Sequence, residues 1–234
     1  MRRIRWFKLT SKSELGKIER QIRAQKFSLS EPVSSGFRVE SKDSSWLKGQ
    51  FVHKRTVDQK ITLPSGEEFS QEIATIDVTK FGIDYSSDGG LLYLEDPPRT
   101  TTPFFSALSQ ATMFDCTIDP IEVNVEKWIE HLLSWNEGIS VTYMDVAGIA
   151  LSQGVIARVA VAGEKDVAAV FREAMPLGQR GRIESAKIRY PFQDGSSLVV
   201  ELSCRASLKA PTSFPAEEIQ ALRDAMLLSI KEVK

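Results

Sequence analysis

Cysteine and histidine are scarce in this chain, two of each in 234 residues. Cys116 and Cys204 both sit in apolar, strand-like runs and read as buried free thiols, because two cysteines make no disulfide framework. Together with His53 and His131 they are too scattered along the chain for a structural zinc site. Long hydrophobic runs are also missing. No stretch approaches the roughly 20 apolar residues of a membrane span, and the basic opening residues 1–7 lead into Lys8 and Lys12, not into the apolar core of a signal peptide. The expected location is therefore cytoplasmic, with no membrane partner. An excess of one charge is absent too. Thirty basic residues face 31 acidic ones, for a net charge of -1, so any anion site has to come from local clustering. What the chain does have is a 42% hydrophobic content, which excludes wholesale disorder, and enough length for one large domain or two small ones.

Periodicity sets out the elements. Residues 4–9 alternate as a strand with Ile4, Trp6 and Lys8 on one face. Ser11 or Ser13 caps a helix whose Leu15, Ile18 and Ile22 recur at helical spacing. Residues 28–45 are rich in serine and read as a loop with one short strand at 37–39. A meander follows, with strands at 47–63, 69–85 and 91–95 joined by Pro64-Ser65-Gly66-Glu67 and Ser87-Asp88-Gly89-Gly90 turns. Thr101 or Thr102 caps a helix opening at Pro103, and a strand at 113–118 comes next. Asn124 caps a helix in which Val125, Trp128, Ile129, Leu132 and Leu133 form one stripe. Strands at 139–147 and 155–161 precede a helix from Asp166 with Val167, Val170, Phe171 and Ala174 inward, stopped by Pro176. Residues 183–192 and 197–207 make a hairpin across Asp194-Gly195, and Pro215 opens the last helix.

Strand pairs separated by helices predict an α+β fold, with largely antiparallel sheets, helices packed on one face and two ferredoxin-like halves. The halves are expected at 1–136 and 137–234, around Asn136-Glu137-Gly138.

No catalytic group, cofactor or metal site is expected. No Ser-His-Asp or Cys-His arrangement can be assembled from local motifs. Asp194 and Glu201 flank a hairpin as the acids of a metal nuclease would, but Ser203 stands where such a site needs lysine. Gly178-Gln179-Arg180-Gly181-Arg182 is neither a Walker A loop nor G-x-G-x-x-G, yet glycine-flexed backbone with guanidinium forks can hold phosphate. Basic residues cluster twice. Arg2, Arg3, Arg5, Lys8, Lys12, Lys17, Arg20, Arg23 and Lys26 dominate the opening segment. Arg172, Arg180, Arg182, Lys187, Arg189, Arg205 and Lys209 gather near the second hairpin. Lys187 and Arg189 share one strand face. Brought onto one surface, the clusters would track a nucleic-acid backbone.

The segment Asp119-Pro120-Ile121-Glu122-Val123-Asn124-Val125-Glu126-Lys127-Trp128 resembles the RdgC family of recombination-associated DNA-binding proteins, where a Pro-Ile-Glu strand end leads into a Trp-bearing helix. Trp6-Phe7-Lys8 is similar to that family's start, and the closing hairpin has a similar place. The resemblance covers about a tenth of the chain, and it implies duplex binding without sequence specificity or catalysis. In architecture, tandem ferredoxin-like halves with a glycine-rich basic loop are also similar to CRISPR-associated RNA-processing proteins, whose glycine-rich C-terminal signature is not found in this sequence.

The expectation is a non-catalytic, bacterial or phage-type protein that binds nucleic acid, DNA over RNA, through phosphate contacts from Arg20, Arg23, Arg180, Arg182, Lys187 and Arg189. Two alternatives remain open. One is an interaction subunit of a multi-protein assembly or homo-oligomer; the other is the metal-dependent nuclease.

Overall fold

A computed structural model describes residues 1–31, 34–86, 89–164, 166–174 and 181–230. It is an α+β structure dominated by antiparallel strands. The chain divides into two compact units, Trp6–Asp119 and Met1–Arg5 with Pro120–Lys234. The chain thus crosses between units twice, at Arg5/Trp6 and at Asp119/Pro120, where the sequence reading expected one boundary at 136/137.

The Trp6–Asp119 unit takes most of β1 (Arg2–Ser11), then α1 (Leu15–Ala24), β2 (Ser34–Lys42), β3 (Trp46–Thr62), β4 (Glu68–Ser86), β5 (Gly89–Glu95), α2 (Thr102–Ala111) and β6 (Cys116–Pro120). Its strand order is β2-β3-β4-β5-β1, with β6 also on β1. Phe104 of α2 anchors the core, with ring centroids 5.4 Å from both Phe51 and Phe81. Leu15, Ile18 and Ile22 of α1 are all buried, as their spacing predicts. Glu19 is buried with them, because Arg23 and Lys42 both bond its carboxylate.

Several local expectations change here. Lys8 is exposed, while Phe7 and Leu9 join the core. Glu14, not a serine, is the N-cap of α1, and its side chain makes no capping bond. Ser11 Oγ instead accepts from Ser13 N (3.0 Å) and donates to Asp115 (3.1 Å). The serine-rich segment holds a nine-residue strand, β2, because pairing with β3 outweighs its weak propensity. Strand β6 starts only at Cys116, since Met113 and Phe114 both have positive φ and are exposed. The Pro64–Glu67 turn forms as read, with Gly66 at φ 87°. Ser87 and Asp88 of the second turn lie outside the described residues.

The other unit contains α3 (Val125–Trp135), β7 (Ser140–Ser152), β8 (Val155–Ala162), α4 (Val167–Ala174), β9 (Arg182–Pro191), β10 (Ser197–Ser203), β11 (Ser207–Ala210) and α5 (Ala216–Leu227). Residues 2–5 of β1 pair with β11, giving the order β1-β11-β10-β9-β7-β8. Asn124 caps α3 by accepting from Glu126 N (3.1 Å) and Lys127 N (3.3 Å). Trp128 is fully buried, and its Nε1 donates to Leu222 O of α5 at 2.9 Å. Val170 and Ala174 are exposed, so α4 buries Val167, Ala168 and Phe171; Pro176 lies outside the described residues. The closing hairpin is split, because a turn with Ala206 at φ 48° separates β10 from β11. Cys116 and Cys204 are buried free thiols. Among the described residues no helix is long and apolar enough to cross a membrane.

Candidate nucleic-acid interface

The strands of the Pro120–Lys234 unit alternate strictly enough to give its sheet two unlike faces. Val141, Met144 and Val146 of β7, Ala186, Ile188 and Tyr190 of β9, and Val200 and Leu202 of β10 are buried. Leu208 and Ala210 of β11 complete that face, which lies against the helices. The intervening residues form the open face.

Register fixes who neighbours whom there, because directly paired residues share a face. One rung runs Arg3, Lys209, Glu201, Lys187, Tyr143 across five strands. At about 4.8 Å per strand step it spans roughly 19 Å. The rung on one side holds Arg5, Ser207, Ser203, Ser185 and Asp145. The rung on the other holds Val199, Arg189 and Ser140. Lys187 Nζ sits 5.1 Å above the Tyr143 ring, within cation–π range. The carboxylates of these rungs are each held by a cation: Lys209 Nζ lies 2.8 Å from Glu201, and Arg158 pairs with Asp145, drawing that carboxyl below its ordinary range. The Arg5 guanidinium is itself held below the usual arginine value, first by burial and then by the like charges of Arg205 and Arg3.

The six residues expected to contact phosphate separate into distinct groups. Lys187 and Arg189 are exposed on this open face. Arg182 is clamped by Glu184 (2.6 Å) and lies 3.5 Å from Glu122. Arg180 lies outside the described residues. Arg20 and Arg23 belong to α1 of the other unit: Arg20 Nε donates to Gly16 O (3.3 Å), and Arg23 bonds Glu19 at 2.7 Å. Tyr143 was not anticipated, nor was the pairing of Arg3 and Arg5 with the Lys209 strand. The i, i+2 spacing of Arg3 and Arg5 carries the signal, but only pairing with β11 says which strand they join.

The nuclease acids are occupied otherwise. Asp194 accepts from Ser196 N (2.9 Å) and Oγ (2.6 Å), which stabilise the Asp-Gly turn and lower its pKa. Glu201 is half-buried on an interior strand, bonded to Lys209. No three His, Cys, Asp or Glu side chains are grouped for a metal ion among the described residues. His53 stacks on Phe51 and is half-buried. A cleft of about 190 Å³ lined by Ile129, Leu133, Met144 and Phe171 is smaller than the roughly 300 Å³ typical of small-molecule pockets. No family model matches the chain, and no curated protein matches its sequence.

Proposed function

We propose that the open face of the Pro120–Lys234 unit binds the phosphate backbone of nucleic acid, duplex DNA first, without catalysis. The observation carrying this reading is the rung Arg3-Lys209-Glu201-Lys187-Tyr143, flanked by Arg5 and Arg189, on the sheet face whose side chains are exposed or half-buried. Lysine and arginine on phosphate fix position without reading bases, so binding is expected to be insensitive to sequence. Tyr143 adds a ring on which an unstacked base or a sugar can rest. The likeness of residues 119–128 to the RdgC family supports the same class of ligand.

Fluorescence anisotropy of a labelled duplex at low salt tests this. Wild type binds, and the Lys187→Ala, Arg189→Ala double variant loses about 10- to 100-fold in affinity. An unbound duplex, or a double variant as tight as wild type, overturns it.

A second reading, a subunit of a larger assembly, is favoured by apolar side chains at the free end of the β7–β8 hairpin. Leu151 is 59% exposed and Ile156 76%. Under it, Leu151→Asp with Ile156→Asp lowers the mass in light scattering of the native assembly; an unchanged mass removes it.

A further inference from the structure

The β3–β4 hairpin outruns the sheet that supports it. Strand β2 pairs with β3 only over residues 47–54, and β5 pairs with β4 only over 80–86. The rungs from Arg55↔Thr75 to Thr62↔Glu68 therefore form a two-stranded ribbon with no third strand among the described residues. Such a ribbon cannot bury its own face and is marginal in water without cover.

One face of it is apolar. Val57 pairs with Ile73 and Ile61 with Phe69, separated by Gln59 opposite Gln71. Val57, Phe69 and Ile73 are 43%, 46% and 37% exposed. Closer to the sheet the same face carries Leu47, Phe51, Phe81 and Ile83, all buried in the core. The strip thus lies on the core face, beyond the polar His53–Asp77 and Arg55–Thr75 rungs. It is uncharged between its ends. On the opposite face Asp58 stands directly across from Glu72, and Lys60 and Glu68 follow on the next two rungs, leaving three carboxylates to one cation, which disfavours a polyanion or an anionic lipid surface.

The order apolar, amide, apolar reads the same in both directions. We propose that this ribbon packs face to face and antiparallel on the ribbon of a second copy of the chain, about a two-fold axis through the Gln59–Gln71 rung. The symmetry then seats the Val57/Ile73 rung of one copy on the Ile61/Phe69 rung of the other. The Gln59 and Gln71 amides, facing only their own kind, hydrogen-bond across the axis. Two rungs outward, Arg55, half-exposed and 3.6 Å from Asp77 of its own ribbon, faces the Leu63–Glu67 rung of the second copy, so its guanidinium gains a second carboxylate at each end.

Sedimentation equilibrium of the full chain over a concentration series tests this, with circular dichroism to check that each variant is folded. The mass rises toward twice the monomer with concentration. Ile73→Lys raises the dissociation constant at least about tenfold. Arg55→Glu and Glu67→Arg each weaken association, and the two together restore it. Positions 55 and 67 lie about 27 Å apart along one ribbon, so restoration acts only between copies. A chain that stays monomeric up to about 100 µM, which would assign the strip to another partner, overturns the proposal. So does association indifferent to Ile73→Lys, or a double variant weaker than either single one.

Discussion

The open sheet face and the β3–β4 ribbon are both solvent-facing β-surfaces, and they solve the problem of exposure differently. On the open face every strand from β11 to β7 has a neighbour on each side, and the outward positions are cations, serines, Tyr143, Val199 and the two cation-held carboxylates Glu201 and Asp145. Its stability comes from the opposite face, where Leu202, Ile188 and Val200 are fully buried. Among the outward side chains Lys187 and Arg189 are exposed. The ribbon has no third strand among the described residues, and its outward positions include Val57, Phe69 and Ile73. Exposed charge on a supported sheet suits a wet, salt-sensitive contact; exposed hydrocarbon on an unsupported ribbon suits a dry one.

Substitutions sharpen that contrast, beginning with the largest effect. Leu202→Ala opens a cavity behind the open face and destabilises the protein by about 2–5 kcal/mol in chemical denaturation. Lys187→Ala with Arg189→Ala leaves that stability within about 0.5 kcal/mol while removing most duplex affinity, which separates the face's two roles. Glu19→Gln costs about 1 kcal/mol near neutral pH, since Glu19 is bonded by Lys42 and Arg23. The sign of its pH dependence follows from the bonds to Lys42 first and Arg23 second, which hold the Glu19 carboxyl below its unfolded value. That stabilisation is complete above the ordinary carboxylate range and is lost as pH falls through the lowered value. Glu19→Gln accordingly flattens the acid limb of a stability–pH curve. Val199→Ala, on the open face, changes stability by no more than about 0.5 kcal/mol.

The sequence made legible whatever depends on local pattern. Asn124, the Asp194-Gly195 turn and the Pro64–Glu67 turn carry their geometry in a few residues, and all three form as read. The α1 and α3 stripes are equally local. Features set by partners at a distance were not legible. Strand β2 exists because β3 pairs with it, and Glu19 is buried because Lys42 reaches it from another element. Lys187 and Arg189 could be placed on one face by parity alone. Their neighbours Lys209, Arg3 and Tyr143 could not, since inter-strand order is not written in any one segment. Arg23 and Arg182 looked like phosphate ligands by charge, but local carboxylates engage both, Glu19 one helical turn before Arg23 and Glu184 two residues after Arg182.

The most direct test of the open face is the salt dependence of duplex binding for wild type beside the Lys187→Ala, Arg189→Ala variant. Each phosphate contact contributes about -0.9 to the slope of log K against log salt. The account predicts a steep negative slope for wild type, shallower by about 2 in the variant. Equal slopes, or binding that does not weaken with salt, would contradict it.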